Sequence, residues 1–275
     1  SPFAAWSSGG SLSTARAVLA GAGTQTAGLA FGGSLPGSTA ATEEYNGSAW
    51  TAGGTMGTAR RQLAGCGTQT AGLGFGGYIG PITAATEEYN GTSWTAGGSM
   101  GTARRELAGA GTQTAGLAFG GGSPGLSAAT EEYDGSAWTA GGTMGTAKDQ
   151  LAGVGLQTAG LAFGGNPYTT ATEEYNGSSW TAGGAMNTAR NLLAGAGLQT
   201  AGLAFGGNAP PNTAATEEYN GSSWTTTSSM NTARRELAGC GIQTAALAFG
   251  GDSGPSAATE EFSQFGPSTA TITTT

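Results

Sequence analysis

The chain has 275 residues, 54 of them glycine; charged residues make up only 9% and histidine is absent. Without an imidazole base, Ser–His–Asp nucleophiles, Cys–His pairs and His-containing zinc sites are excluded. The formal net charge of −8 argues against nucleic acid or an anionic membrane surface as partner. No apolar run is long enough to span a bilayer as a helix, so membrane insertion is not expected.

In chain order, the first element is a strand-like segment, Phe3–Trp6, with nothing before it to pair with. A unit then recurs six times. Its tryptophans stand at Trp6, Trp50, Trp94, Trp138, Trp180 and Trp224, spaced by 44 residues except for one interval of 42. Residues 58–98 show the unit in full. Leu63–Gly67 is small and apolar, suited to a strand crowded against an axis. Thr68-Gln69 is a turn. Thr70–Gly77 is apolar throughout, as in a strand covered on both faces. Tyr78–Thr83 carries Gly and Pro and reads as a loop. Ala84–Tyr89 is a third strand, Asn90-Gly91 a two-residue hairpin signal, and Thr92–Ala96 a fourth strand. Four antiparallel strands repeated six times predict an all-β, six-bladed β-propeller.

The ends complete this pattern. The last unit stops at a third strand, Ala257–Phe262, and Ser263–Pro267 breaks the Asn-Gly-x-x-Trp pattern. The orphan N-terminal strand is therefore expected to complete the last blade, which removes two open edges. The propeller is placed at residues 1–262, with a C-terminal tail over 263–275.

A basic residue, a Gly/Ala strand, a strand ending in diglycine, an acidic-aromatic strand and a Trp strand together resemble the kelch repeat. Arg60, Gly76-Gly77, Glu88-Tyr89 and Trp94 are the matching residues in one unit. The resemblance spans nearly the whole chain and implies the propeller fold. The Tyr-to-Trp spacing is shorter than in most kelch repeats, so the last hairpin is tighter. The copper-dependent kelch enzymes use histidine ligands, which are missing here. A WD40 array fits poorly, since Gly-His and Trp-Asp pairs are absent. In composition and regularity the repeats also look like Gly/Thr/Ala-rich arrays of bacteriophage virion and environmental viral proteins.

Several repeated side chains are candidates for chemistry. Each third strand carries a Glu-Glu pair, but neighbouring strand residues point to opposite faces, so a pair does not converge on one substrate. No spacing suits a metal, and no cofactor is expected. Arg16, Arg60, Arg104, Lys148, Arg190 and Arg234 form a basic ring, one per unit, before each innermost strand. Their expected role is pairing with the glutamates between neighbouring blades; the alternative is an anion site at a channel mouth. Gln25, Gln69, Gln113, Gln157, Gln199 and Gln243 occupy the first turn and are expected to bond nearby backbone. Cys66 and Cys240 share a slot held elsewhere by Ala or Val and read as buried free thiols.

The loops after each diglycine differ most among copies. Loops tolerate change and also carry binding function. Tyr78, Ile79, Leu126 and Tyr168 are the expected contact residues, on the end of the molecule opposite the tight turns. The functional expectation is a non-enzymatic binding module of a virion or extracellular protein, such as a phage tail component within a larger assembly. Its partner would be a protein or a cell-surface glycan. The alternative is a multivalent lectin with equivalent sites per blade.

Overall fold

A computed structural model describes residues 3–252 and 254–265. Each repeat forms four antiparallel strands. In blade 1 these are Ala20–Thr24, Ala27–Phe31, Thr42–Tyr45 and Trp50–Ala52, adjacent in that order from the axis outwards. The innermost strands of blades 2 to 6 are Ala64–Thr68, Ala108–Thr112, Ala152–Leu156, Ala194–Leu198 and Ala238–Ile242. The six sheets make a six-bladed β-propeller.

The small residues near the axis follow from crowding. A Cβ on Gly65 of blade 2 would lie 2.4 Å from the Phe31 ring of blade 1. Further out there is room for aromatics, and Trp fills the seam between blades. The Trp94 ring lies 5.0 Å from Tyr89 of its own blade and 4.8 Å from Phe31 of the preceding one. Its Nε1 donates to Thr42 Oγ1 of that preceding blade at 2.9 Å, so the indole is buried without a lost hydrogen bond. The same bond recurs at every seam, from Trp6 to Thr216 and from Trp50 to Thr259 among others. The diglycines sit where two blades touch. Gly76 has a φ of +65°, and a Cβ there would meet Arg104 O at 2.6 Å.

The ring closes as the orphan strand requires. Phe3–Ser8 pairs with Thr259–Phe265 as the outermost strand of blade 6, in a register running from Phe3 opposite Phe265 through Trp6 opposite Phe262 to Ser8 opposite Glu260. This pairing is longer than the sequence suggests. The last strand does not end at Phe262, because its partner continues alongside and Gln264 N donates to Thr244 O at 2.9 Å. Ser263, Gln264 and Phe265 therefore belong to the propeller. The rest of the expected tail, 266–275, lies outside the described residues.

A second closed ring circles the axis at the loop end. Val18, Gln62, Glu106, Gln150, Leu192 and Glu236 all have positive φ, between 50° and 57°. Each N–H in this set donates to the carbonyl of its counterpart in the preceding blade at 2.8–2.9 Å, and Val18 closes the circle onto Glu236. Left-handed backbone is costly for a side chain with Cβ, most of all for β-branched Val18. Six inter-blade hydrogen bonds near the axis oppose that cost.

Candidate functional site

The repeated polar side chains are absorbed by the scaffold. Arg16 is fully buried; its Nη1 donates to Gly32 O and Ala41 O at 2.8 and 2.9 Å, and its Nη2 to Glu43 Oε1 at 2.9 Å. Glu43 Oε2 also accepts from Ser13 N at 2.7 Å. The fork thus ties the segment entering the blade to that blade's third strand. Arg60–Glu87, Arg104–Glu131, Arg190–Glu217 and Arg234–Glu260 repeat the pair at 2.8–3.0 Å. Burial pulls the Arg16 pKa below its ordinary value, and the Glu43 carboxylate opposes that pull. One expectation is corrected here, and its alternative is not met either. The pairs lie within blades rather than between them, because the basic residue precedes the innermost strand of the blade whose glutamate it meets. Nor does this ring line a channel mouth, since its side chains are buried inside the blades.

Lys148 is the exception. Its Nζ sits 3.1 Å from Glu173 Oε1, off the line a hydrogen bond needs, and it makes neither carbonyl bond. An ammonium on a flexible stem cannot reproduce the guanidinium fork.

The second glutamate of each pair faces the other way and joins blades. Tyr89 OH of blade 2 donates to Glu44 Oε1 of blade 1 at 2.5 Å, and the bond recurs from Tyr45, Tyr133, Tyr175 and Tyr219. Burial and then the carboxylate push the Tyr89 pKa up to about 12. At the closure seam the counterpart is Phe262, which has no hydroxyl, and Gln264 Nε2 approaches Glu218 at 3.4 Å instead. The glutamines of the first turn also bond backward. Gln69 Nε2 donates to Gly28 O and Tyr45 O of the preceding blade, at 3.0 and 2.7 Å. Cys66 and Cys240 are buried free thiols, pushed up to about 12 by burial, which leaves them unreactive. Among the described residues no three His, Cys, Asp or Glu side chains gather as metal ligands would.

What remains for chemistry is the unrepeated part, and most of it is at the loop end. Ile79, Leu126 and Tyr168 are exposed there as expected, and Leu35, which the sequence reading did not single out, joins them. Asn208 Nδ2 donates to Tyr168 OH across two loops. Tyr78 departs from the expectation. It is half-buried, with the guanidinium carbons of Arg61 and Arg105 at 5.1 and 5.7 Å from its ring centroid. A crater of about 440 Å³ opens between the loops and the axis, lined by Arg61, Gln62, Arg105, Glu236 and Asp252 among others. Val18, Gln62 and Glu236 of the left-handed ring also line it, and the complete ring borders a cavity of about 130 Å³. The left-handed positions were missed in the sequence, whereas Arg61, Arg105 and Arg235 stand out there as a second basic residue that suggests surface variation. The signal was present as variation: the residues just after the basic ring read Ala17-Val18, Arg61-Gln62, Arg105-Glu106, Asp149-Gln150, Asn191-Leu192 and Arg235-Glu236.

The turn end also departs from its expected uniformity. Where blades 1 to 3 carry Thr24, Thr68 and Thr112, the adjacent blades 4 to 6 carry exposed Leu156, Leu198 and Ile242. Phe3 and Phe265, stacked at 6.5 Å, are exposed at the same end.

In comparisons with known proteins, no family model and no curated protein matches the chain.

Two outcomes follow from this geometry. Lys148→Arg rebuilds the fork in blade 4 and is expected to stabilise by about 1–2 kcal/mol through the recovered hydrogen bonds, read as a Tm rise of roughly 2–6 °C; a lower Tm would show that blade 4 has packed around the lysine. The second concerns the left-handed ring. Burial, with Asp149 adding to it, raises the Glu106 pKa against the opposing pull of Gln150, Arg105 and Gln62; burial likewise raises that of Glu236. A carboxyl with a raised folded-state pKa binds more protons folded than unfolded, so stability falls as pH rises through the window above the ordinary value of about 4.3. Glu106→Gln and Glu236→Gln are therefore expected to raise Tm at pH 7, with the gain shrinking as pH approaches about 4. A gain independent of pH would contradict the assigned cause.

Proposed function

We propose that this propeller is a non-enzymatic binding module that presents its loop end to a partner. One observation carries the reading: departures from repeat symmetry collect at the loop end around a crater, while the repeated polar groups are engaged in holding blades together. A binding protein of this kind keeps a rigid frame and varies its loops. The kelch-like repeat pattern and the Gly/Thr/Ala-rich composition favour a virion appendage or tail component, virion-borne or extracellular, whose partner is a protein or a cell-surface glycan. Against catalysis stands the lack of histidine as a general base or nucleophile partner.

A lectin with equivalent sites per blade is the second reading. It needs a repeated polar set at the surface, and the repeated Gln, Tyr and Glu side chains are already bonded within or between blades.

Attachment assays test the assignment of the face. Replacing Tyr78, Ile79, Leu126 and Tyr168 together by Ser is expected to reduce binding to host cells or partner protein by at least about tenfold, a loss of about 1.4 kcal/mol. The protein supplies its own control: Leu156→Thr, Leu198→Thr and Ile242→Thr install the residue type of blades 1 to 3 at the turn end and are expected to leave attachment unchanged. The opposite pattern would move the recognition face to the turn end.

A further inference from the structure

We propose that the loop-end crater lined by blades 6, 1 and 2 and by Arg105 of blade 3 binds one acidic saccharide per propeller, with the sugar carboxylate held by Arg61 and Arg105; this rests on the loop-end reading above and names its ligand class. Arg61 and Arg105 come from adjacent blades and converge on the Tyr78 ring, at 5.1 and 5.7 Å. The backbone that carries the ring is itself fixed: Tyr78 N donates to Arg61 O at 2.8 Å, and Arg61 N returns a bond to Tyr78 O at 3.2 Å. Cation–π contact with an anchored aromatic limits the freedom of both side chains and aims them. Neither arginine takes part in an ion pair among the described residues, whereas the basic residues of the buried ring and Arg235 all do. The two guanidinium groups converge on one ring and repel each other, and an anion held between them relieves that repulsion. A planar carboxylate matches the guanidinium fork.

The rest of the wall selects the kind of anion. Glu236 and Asp252 line the same crater, and Gln62 and Ser34 offer polar groups beside them. Carboxylates opposite the arginines repel a polyanion such as nucleic acid or polyphosphate. They accept hydrogen bonds from hydroxyls. A ligand with one carboxylate and many hydroxyls, a uronic or sialic acid residue, satisfies both sides. The volume of about 440 Å³ falls in the ordinary range for small-ligand sites. The site is single because the arginine pair is: the equivalent positions in blades 1, 4 and 5 are Ala17, Asp149 and Asn191, and Arg235 is engaged with Asp252 at 3.4 Å.

The test is a glycan array spanning uronic- and sialic-acid-terminated oligosaccharides and their neutral counterparts, followed by titration calorimetry on the best acidic glycan. The expected result is selective binding of acidic glycans at one site per chain. Arg61→Ala, Arg105→Ala and Arg105→Lys are each expected to weaken it roughly 10–100-fold, the scale of a charge-assisted hydrogen-bonded pair. Tyr78→Phe keeps the platform and should retain affinity; Tyr78→Ala should lose much of it. Melting temperatures of the arginine variants are expected to stay near the wild-type value, which separates lost contact from lost fold. Absence of any acidic-glycan binding, equal binding of the neutral counterpart, several sites per chain, or affinity that survives both alanine substitutions would overturn the proposal. If the fourfold loop variant loses attachment while the arginine variants keep it, the loop end stands as the recognition face and only the sugar site falls. If the loop variant keeps attachment, the loop-end reading itself fails.

Discussion

A buried guanidinium at the entry to five of the six blades, with Lys148 in its place in blade 4, fixes how the chain crosses from one blade to the next. Arg104 donates to Gly120 O, Ala129 O and Glu131 Oε1 at 2.8–2.9 Å, which pins the crossing segment to the third strand and sets the direction of the residues that follow. Arg105 then faces the crater, Glu106 enters the left-handed ring at the axis, and Leu107 drops into the core. Four consecutive residues reach four environments because the first is held. A charge taken out of water needs such full pairing. Only Nε of the guanidinium goes without a partner.

From this anchor the polar bonds across the blade seams run largely one way. Trp, Tyr, Gln and the left-handed N–H of each blade donate to the blade before it. Such a chain of donors leaves unmatched groups at both ends unless it closes on itself. The N-terminal strand supplies that closure by giving blade 6 its Trp6, whose Nε1 bonds Thr216 at 3.0 Å. Symmetry and closure therefore account for most of the repeated polar residues, and function falls to the positions where the repeats differ.

Much of the fold was legible in the sequence, because Trp, diglycine and Asn-Gly mark physical needs that only those residues meet. The closing strand was legible as an unpaired end. Its length was not, since Ser263–Phe265 has no strand signature and is extended by its partner. The buried pairs were legible as chemistry but not as geometry: spacing along the chain does not say that Arg60 meets Glu87 of its own blade. The repeat does separate two consecutive arginines, since Arg60 aligns with the basic ring and Arg61 is the extra residue at the surface. The left-handed ring was visible only as variation among the repeats, which does not point to positive φ. Val18 and Leu192 are among the last residues expected at positive φ, and hydrogen bonds from neighbouring blades override their preference. Tyr78 was singled out as an exposed contact, yet its place beneath two arginines depends on a neighbouring blade that no local pattern encodes.

The account divides adjacent residues into frame and site, and Arg104 and Arg105 are the sharpest case. The most direct measurement is chemical denaturation of Arg104→Ala beside Arg105→Ala. Removing Arg104 strands a buried carboxylate and is predicted to cost about 3–5 kcal/mol. Removing Arg105, half-exposed and outside any ion pair, is predicted to change stability by no more than about 0.5 kcal/mol. Equal losses, or a larger loss for Arg105→Ala, would contradict the division between a repeated frame and an unrepeated site.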